Sequence, residues 1–317
     1  MSRNDFCSLL LPSRVRIKLR EHGIHDDSDV VAAGPSFGPE ADMVMARRRA
    51  VPVFTFKTAL ELFERSRTLE PIPTWIPSID AVLDGGIVRG KIMEVTGFPG
   101  SGKTQFCLQV AASNHLSGNS TVYVDSKGGF TKKRFEQILN GIAAKQRPRH
   151  RGEAGSSAAI AAKTPSFHFR LCESWEELSA ILSILREFIA TDGNRRVTLV
   201  IIDGFDFHLR HGVEDLPLRR KIVGCLTQKL VDVATRLHVA VLLTNHLSMK
   251  PNSPGSTTLS PAPALGQTFG QDCAYRVTFG FKGQVREATF FKAPSFGHAV
   301  VSFEIGSDGL LEALPDI

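Results

Sequence analysis

The eight residues Gly97-Phe98-Pro99-Gly100-Ser101-Gly102-Lys103-Thr104 constrain this chain more than any other stretch. They satisfy the pattern Gly-x-x-x-x-Gly-Lys-Thr in full, between an apolar β-prone run at 92–96 and a helix-compatible one. That context predicts a strand, a tight loop and the start of a helix. The glycines let consecutive backbone N–H groups point inward at an anion, and the helix adds its positive N-terminal end. Residues Gly97, Phe98, Pro99, Gly100, Ser101 and Gly102 are therefore read as a cradle for the phosphates of ATP. Lys103 would reach the β- and γ-phosphates, and Thr104 would offer its hydroxyl to Mg²⁺.

The surrounding pattern predicts an α/β fold. Residues 121–124 read as a second strand ending at Asp125, 167–171 as a weaker third, and 197–202 as a nearly uninterrupted β-branched run of the kind buried on both faces. Residues 240–243 read as another buried strand. Between them lie two amphipathic helices, 174–189 and 218–237; Ser174 and Glu177 form a capping box for the first. The alternation implies a mostly parallel central sheet with helices on both sides. Runs at 275–279, 285–291 and 299–303 alternate apolar and polar residues, as hairpin strands at a sheet edge do. The organisation expected is a small N-terminal domain over 1–50, a linker over 51–77 punctuated by Pro71, Pro73 and Pro77, and an ATPase core over 78–317. Residues 140–165 read as a disordered basic insert and 248–264 as a mobile loop.

Composition narrows the partners. Lys and Arg number 38 against 32 Asp and Glu, a net charge of +6 that permits a nucleic-acid partner without showing one. The 5 cysteines contain no Cys-x-x-Cys pair, so a disulfide scaffold and a zinc finger lack support and a reducing compartment fits best. No apolar run has membrane length, so no membrane partner is expected.

Asp203 closes the buried run at 197–202, where an acid is expected to hold Mg²⁺ through water. Hydrolysis also needs a group that positions the attacking water. The end of the second strand is the natural place for it, and Lys127 stands there; a lysine would put positive charge beside phosphate without polarising water. Asp125 is near in sequence, but strand alternation is expected to turn it elsewhere. No Asn-Lys-x-Asp tetrapeptide for reading guanine is present. Arg134 either stacks on adenine or faces solvent from its helix.

The P-loop followed by Gln105, Tyr123-Val-Asp-Ser-Lys-Gly-Gly129, Leu199-Val-Ile-Ile-Asp203, Leu242-Leu-Thr-Asn-His246 and Pro263-Ala-Leu-Gly266 together resemble the eukaryotic RecA-type recombinases, and among them the D-type paralog branch. The resemblance implies a RecA-like P-loop ATPase core, preceded by a small helical N-terminal domain and an extended linker, in a nuclear protein of homologous recombination. It places Lys127 at the family's catalytic glutamate, Arg134 at its adenine-stacking arginine and His246 at its γ-phosphate-sensing glutamine. It makes 204–216 and 247–264 the two loops that contact single-stranded DNA. Phe205, Phe207, His208, Arg210 and His211 lie in the first, Arg219 and Arg220 follow on the next helix, and Lys250 lies in the second; aromatics interleaved with basic groups suit single strands. Phe56-Lys57-Thr58-Ala59 resembles the family's subunit-docking segment, with Phe56 and Ala59 as its anchors. The implied partners are a C-type and an XRCC-type paralog and the main recombinase. Two other readings stay open: a DNA-dependent ATPase that forms its own filament, and a scaffold that has lost its dependence on ATP.

Overall fold

The computed structural model describes residues 17–18, 21–23, 29, 58–61, 69–146, 165–191, 197–251, 259–294 and 297–313. The chain divides into two compact units, Met1–Ser66 and Arg67–Ile317. In the first, Thr58 donates from its backbone N–H and its hydroxyl to the Glu61 carboxylate, and Ala59 is exposed. Phe56 lies outside the described residues; of the stretch 140–165 expected to be disordered, 140–146 are helical with Gly141 and Ile142 buried, and 147–164 lie outside the described residues.

The second unit runs α1 (Pro77–Val82), β1 (Ile92–Gly97), α2 (Lys103–Leu116), β2 (Ser120–Asp125), α3 (Lys132–Gln146), β3 (Phe167–Leu171), α4 (Trp175–Thr191) and β4 (Val197–Asp203). It continues through α5 (Phe207–Gly212), α6 (Leu216–Leu237), β5 (Ala240–Pro251), β6 (Leu259–Pro263), α7 (Gly266–Asp272), β7 (Tyr275–Lys282), β8 (Val285–Lys292), β9 (Ala299–Gly306) and β10 (Gly309–Glu312). The sheet order is β10-β9-β8-β7-β1-β5-β4-β2-β3. From β7 to β3 every pairing is parallel; β8, β9 and β10 are added antiparallel, and β6 folds back on the outer half of β5. The result is the expected α/β fold with a mixed, mostly parallel sheet.

Two apolar cores flank the sheet. One holds Met93, Val95, Tyr123, Ile201 and Leu242 against α1, α2 and α3; the other holds Val124, Val200, Ile202 and Leu243 against α4, α5 and α6. Strand alternation sends successive residues of β4 and β5 to opposite cores, which is why those runs carry no polar face. Helix α4 is capped as expected: Ser174 accepts the Glu177 N–H, while the Glu177 carboxylate reaches back to the N–H of Glu173.

The reading of 71–77 as the end of an extended linker needs correction. Pro77 opens helix α1 and Trp75 turns with φ +63, so the segment is not extended throughout, and Ile72, Thr74 and Ile76 are buried. Ile72 pairs with Ile87, and the Asp80 carboxylate accepts from Thr74 and Trp75. The Trp75 indole donates to Ser113 of α2. The alternation Ile72, Thr74, Ile76 is a half-buried strand-like pattern, and the core covers it.

Candidate functional site

The parallel strands bring their C-terminal ends to one rim. Gly97 of β1 stands in register with His246 of β5, and Asp125 of β2 with Asp203 of β4. In open α/β sheets this is the rim where ligands bind.

The loop after β1 forms the expected cradle. A side chain at Gly97 would meet Ser101 Oγ at 2.5 Å and the Phe279 carbonyl at 2.6 Å, so only glycine lets the loop close there. Gly102, the N-cap of α2, has φ +104, a left-handed conformation that glycine adopts without strain. Lys103 is buried and folds over the loop, donating to the carbonyls of Gly97 (2.8 Å) and Phe98 (2.9 Å). Burial pushes its ammonium down to about 8, and the charge of Lys127 acts the same way. Ser101 Oγ is buried and has no hydrogen-bond partner among the described residues.

Thr104 and Asp203, 99 positions apart, meet: the Thr104 hydroxyl donates to Asp203 Oδ2 at 2.6 Å. The same carboxylate accepts from Tyr123 (3.1 Å) and Thr244 (2.6 Å), and Thr244 in turn accepts the Gly204 N–H at 2.7 Å. Tyr123 and Thr244 were not singled out in the sequence; both sit in ordinary strand positions, and only their shared target marks them. Burial, with the nearby Asp203 charge, drives the Tyr123 phenol well above its ordinary value, so it stays a donor.

The donor set fits a magnesium nucleotide. The cradle is closed by glycines, a buried lysine spends its donors on backbone carbonyls, one buried hydroxyl is orphaned, and a hydroxyl and a carboxylate stand together at its mouth. Among the described residues no group of three or more His, Cys, Asp or Glu side chains could hold a metal unaided.

The neighbouring acids are all engaged. Asp125, fully buried, accepts the N–H groups of Lys127 and Phe130 and shapes the turn after β2. Glu94 points to the other side of β1, bonded to Asn245 (2.7 Å) and paired with Arg276. Asp206, a residue missed in the sequence, is buried and paired with His246 and Arg210. Burial works to raise its carboxyl, but His246, Lys127 and Arg210 together more than offset this and hold it below the ordinary range. Lys127 extends toward the same place, with Nζ 2.6 Å from His246 Nε2. Arg134 is half-buried on α3. Its donors go to Gln105 of α2 (2.6 Å) and to the carbonyls of Gly306 and Ser307 in the β9–β10 turn.

The residues expected to meet DNA divide. Phe205 is fully buried and stacks on Phe269 with ring centroids 5.4 Å apart, so it belongs to the core and cannot offer a face to a strand from solvent. Within 204–216, residues 207–212 form helix α5 rather than open loop. Phe207, half-buried, packs against His208 and His211, and His208 is 2.7 Å from the Cys172 carbonyl. Arg219 donates to the Val213 carbonyl. Arg210, Arg219 and the exposed Arg220 line a groove of about 740 Å³ with Leu216, Val223 and Phe269. The side chain of Lys250 and residues 252–258 lie outside what the structure describes.

Comparison with known proteins agrees with this geometry. Residues 72–138, which include β1, the cradle, α2 and β2, match the ATPase family model described as KaiC. With the sheet around it, the site defines a P-loop ATPase-like core. The "DNA repair protein RAD51 homolog 3" of Cricetulus griseus is 30% identical over 269 residues, 81% of this chain and 72% of that protein. The "DNA repair protein RAD51 homolog 4" of Bos taurus is 30% identical over 84% of this chain and 81% of its own length. A Dictyostelium discoideum "DNA repair protein RAD51 homolog 3" is 24% identical, over 65% of its length. The chain belongs to the RAD51 family of DNA repair proteins. Relatives named homolog 3 and homolog 4 both match, so the family link is to RecA-type recombinases and not to the D-type branch in particular. No helix among the described residues is long and apolar enough to cross a membrane.

Proposed function

We propose that this chain is an ATP-binding recombinase paralog of homologous-recombination repair, acting in the nucleus within a heteromeric paralog complex that assists the main recombinase on single-stranded DNA. The meeting of Lys103, Thr104 and Asp203 at one rim carries the nucleotide part of this reading. Lys103 would leave the Gly97 and Phe98 carbonyls for the phosphates, while Thr104 and Asp203 would hold Mg²⁺. Bound there, the metal supplies charge neutralisation to the phosphate oxygens. Arg134 would present its planar face to adenine, since its N–H groups are taken by Gln105, Gly306 and Ser307.

Turnover is slow or absent in this reading. Four acids stand at or behind the strand ends, and each already has partners: Asp203 three hydroxyls, Asp125 two amides, Asp206 a histidine and an arginine, Glu94 an arginine and an amide. Lys127 stands where a water-positioning carboxylate is needed. Nucleotide then works as a conformational and interface switch. Arg210, Arg219, Arg220, Phe207, His208, His211 and Lys250 would meet single-stranded DNA. Phe56 and Ala59 would dock on a C-type or XRCC-type paralog. Among the described residues β3 is the edge strand, with Phe169 and Leu171 exposed, and would take a partner by strand addition.

The deciding experiment measures ATP binding and ATP turnover by the purified chain, with and without single-stranded DNA. Nucleotide should bind, Lys103→Ala should abolish binding, and turnover should stay near background in both conditions. Turnover stimulated well above background by DNA and lost in Lys103→Ala would instead establish an ATPase able to run its own filament.

A further inference from the structure

Beyond His246, β5 leaves the main sheet. Its pairing with β4 ends at Leu243 and with β1 at His246, and among the described residues 247–251 pair only with β6. The Ala264 N–H donates to the His246 carbonyl at 2.8 Å. By strand alternation the N–H groups of Ala262 and Ser260 also face β5, so Pro261 and Pro263 stand at the outward positions. A third strand would need donors there, and proline has none. What results is a ribbon of two strands, a form only marginally stable in water. No core holds it from either side: Met249 and Leu259 are 51% and 50% exposed on one face, and Ser260 is exposed on the other.

Ser260 is followed by Pro261. Proline-directed protein kinases bind their substrate extended and accept, after the serine or threonine, a residue that offers no N–H. The chain has three such dipeptides, beginning at Thr164, Ser253 and Ser260, and Ser260 is the one within the described residues. Its side chain is exposed, its backbone already extended, and its strand held along one edge. Peeling so short an edge strand is a local opening, far cheaper than unfolding the sheet.

Position decides what a charge at Ser260 would do. Residues 248–264 carry Lys250 as their one formal charge, and Lys250 stands opposite Ser260 in the register. Ser248, which lines the groove with Arg210, Arg219 and Arg220, stands opposite Ala262. Ser260 lies diagonally across from Ser248 on the same face, roughly 7–8 Å away, within a Debye length of about 8 Å at physiological salt.

We propose that Ser260 is a phosphorylation site for a proline-directed protein kinase, and that its phosphate weakens the chain's hold on single-stranded DNA at the neighbouring groove. The second half rests on the DNA reading above; the first stands without it. The γ-phosphoryl group passes from ATP bound to the kinase to Ser260 Oγ. The Oγ–P bond forms, the bond from that phosphorus to the β–γ bridging oxygen breaks, the hydroxyl proton goes to the kinase's base, and ADP leaves. The serine gains about two negative charges. They offset Lys250 and repel the phosphates of a strand that the arginines of the groove would attract.

The test incubates the full chain with ATP, Mg²⁺ and either a cyclin-dependent or a mitogen-activated kinase, and maps the phosphate by mass spectrometry. At least one of the two should fill Ser260. Ser260→Ala should lose that phosphate, and Thr164→Ala combined with Ser253→Ala should keep it. Phosphate at Thr164 or Ser253 alone, or none from either kinase, overturns the site. Fluorescence anisotropy with a labelled oligo(dT) reads the consequence. The phosphorylated chain should bind about tenfold more weakly at low salt, with the gap narrowing as salt rises. Ser260→Ala should bind alike before and after kinase treatment. Equal binding by the phosphorylated and unmodified chains overturns the effect on DNA while the site stands. If the unmodified chain binds no single strand, the DNA reading itself fails, and the mapped phosphate alone decides the site.

Discussion

Lys103 is the residue whose environment departs furthest from what its motif alone implies. The motif places a cation at the phosphates; the structure also buries it and sets a second cation, Lys127, near it. Its ammonium is held down to about 8, so near pH 8 the free chain is about half deprotonated there. Phosphate needs the charged form. Nucleotide affinity should therefore be full below pH 8 and fall as pH rises above it, by up to about tenfold per pH unit, because binding must then take up a proton. Titration calorimetry between pH 7 and 9.5 checks this. Lys103→Arg, charged throughout, should bind more weakly but lose the pH slope. At this scale Thr104, Asp203 and Lys103 were legible because their chemistry is tied to a motif or a strand end. Asp206 was not: three residues past Asp203 it reads as one more loop acid, and only the fold brings His246 and Arg210 to it.

Helix α2 shows what packing adds at the scale of an element. It packs between the sheet and α3, touching β10, and is buried along most of its length, so no single apolar stripe marks its inner face. Two of its polar side chains, Gln109 and Asn114, are satisfied inside the core. Gln109 donates to the Thr74 and Leu310 carbonyls and accepts the Leu310 N–H, and Asn114 binds Ser120, Thr121 and Thr198. Gln109→Ala leaves three buried backbone groups without partners and should destabilise the chain by about 3 kcal/mol, read from urea unfolding. The helix start was legible from the cradle, and the α4 cap from Ser174 and Glu177. The polar locks were not, since Gln109 meets Leu310 across 201 positions.

At the scale of the molecule, residues 72–77 matter as much as any strand. A chain beginning at Arg67 keeps Ile72, Thr74, Trp75 and Ile76 in place. A chain beginning at Ser78 loses two buried isoleucines, the Thr74 and Trp75 donors to Asp80, and the Thr74 carbonyl that Gln109 binds. The first should unfold in one cooperative transition, whereas the second should be destabilised by several kcal/mol or fail to accumulate folded; circular dichroism melts of both separate the two cases.

The sequence by itself determined the fold class, the cradle, the acid at the end of β4 and the edge hairpins, because motif chemistry and strand periodicity are local. The strand order, the burial of 72–77, the saturation of four carboxylates and the contacts that link Lys127, His246, Asp206 and Arg210 were decided only by the tertiary structure. Each joins residues far apart in the chain, and a pairing of that kind leaves no periodic trace in either partner.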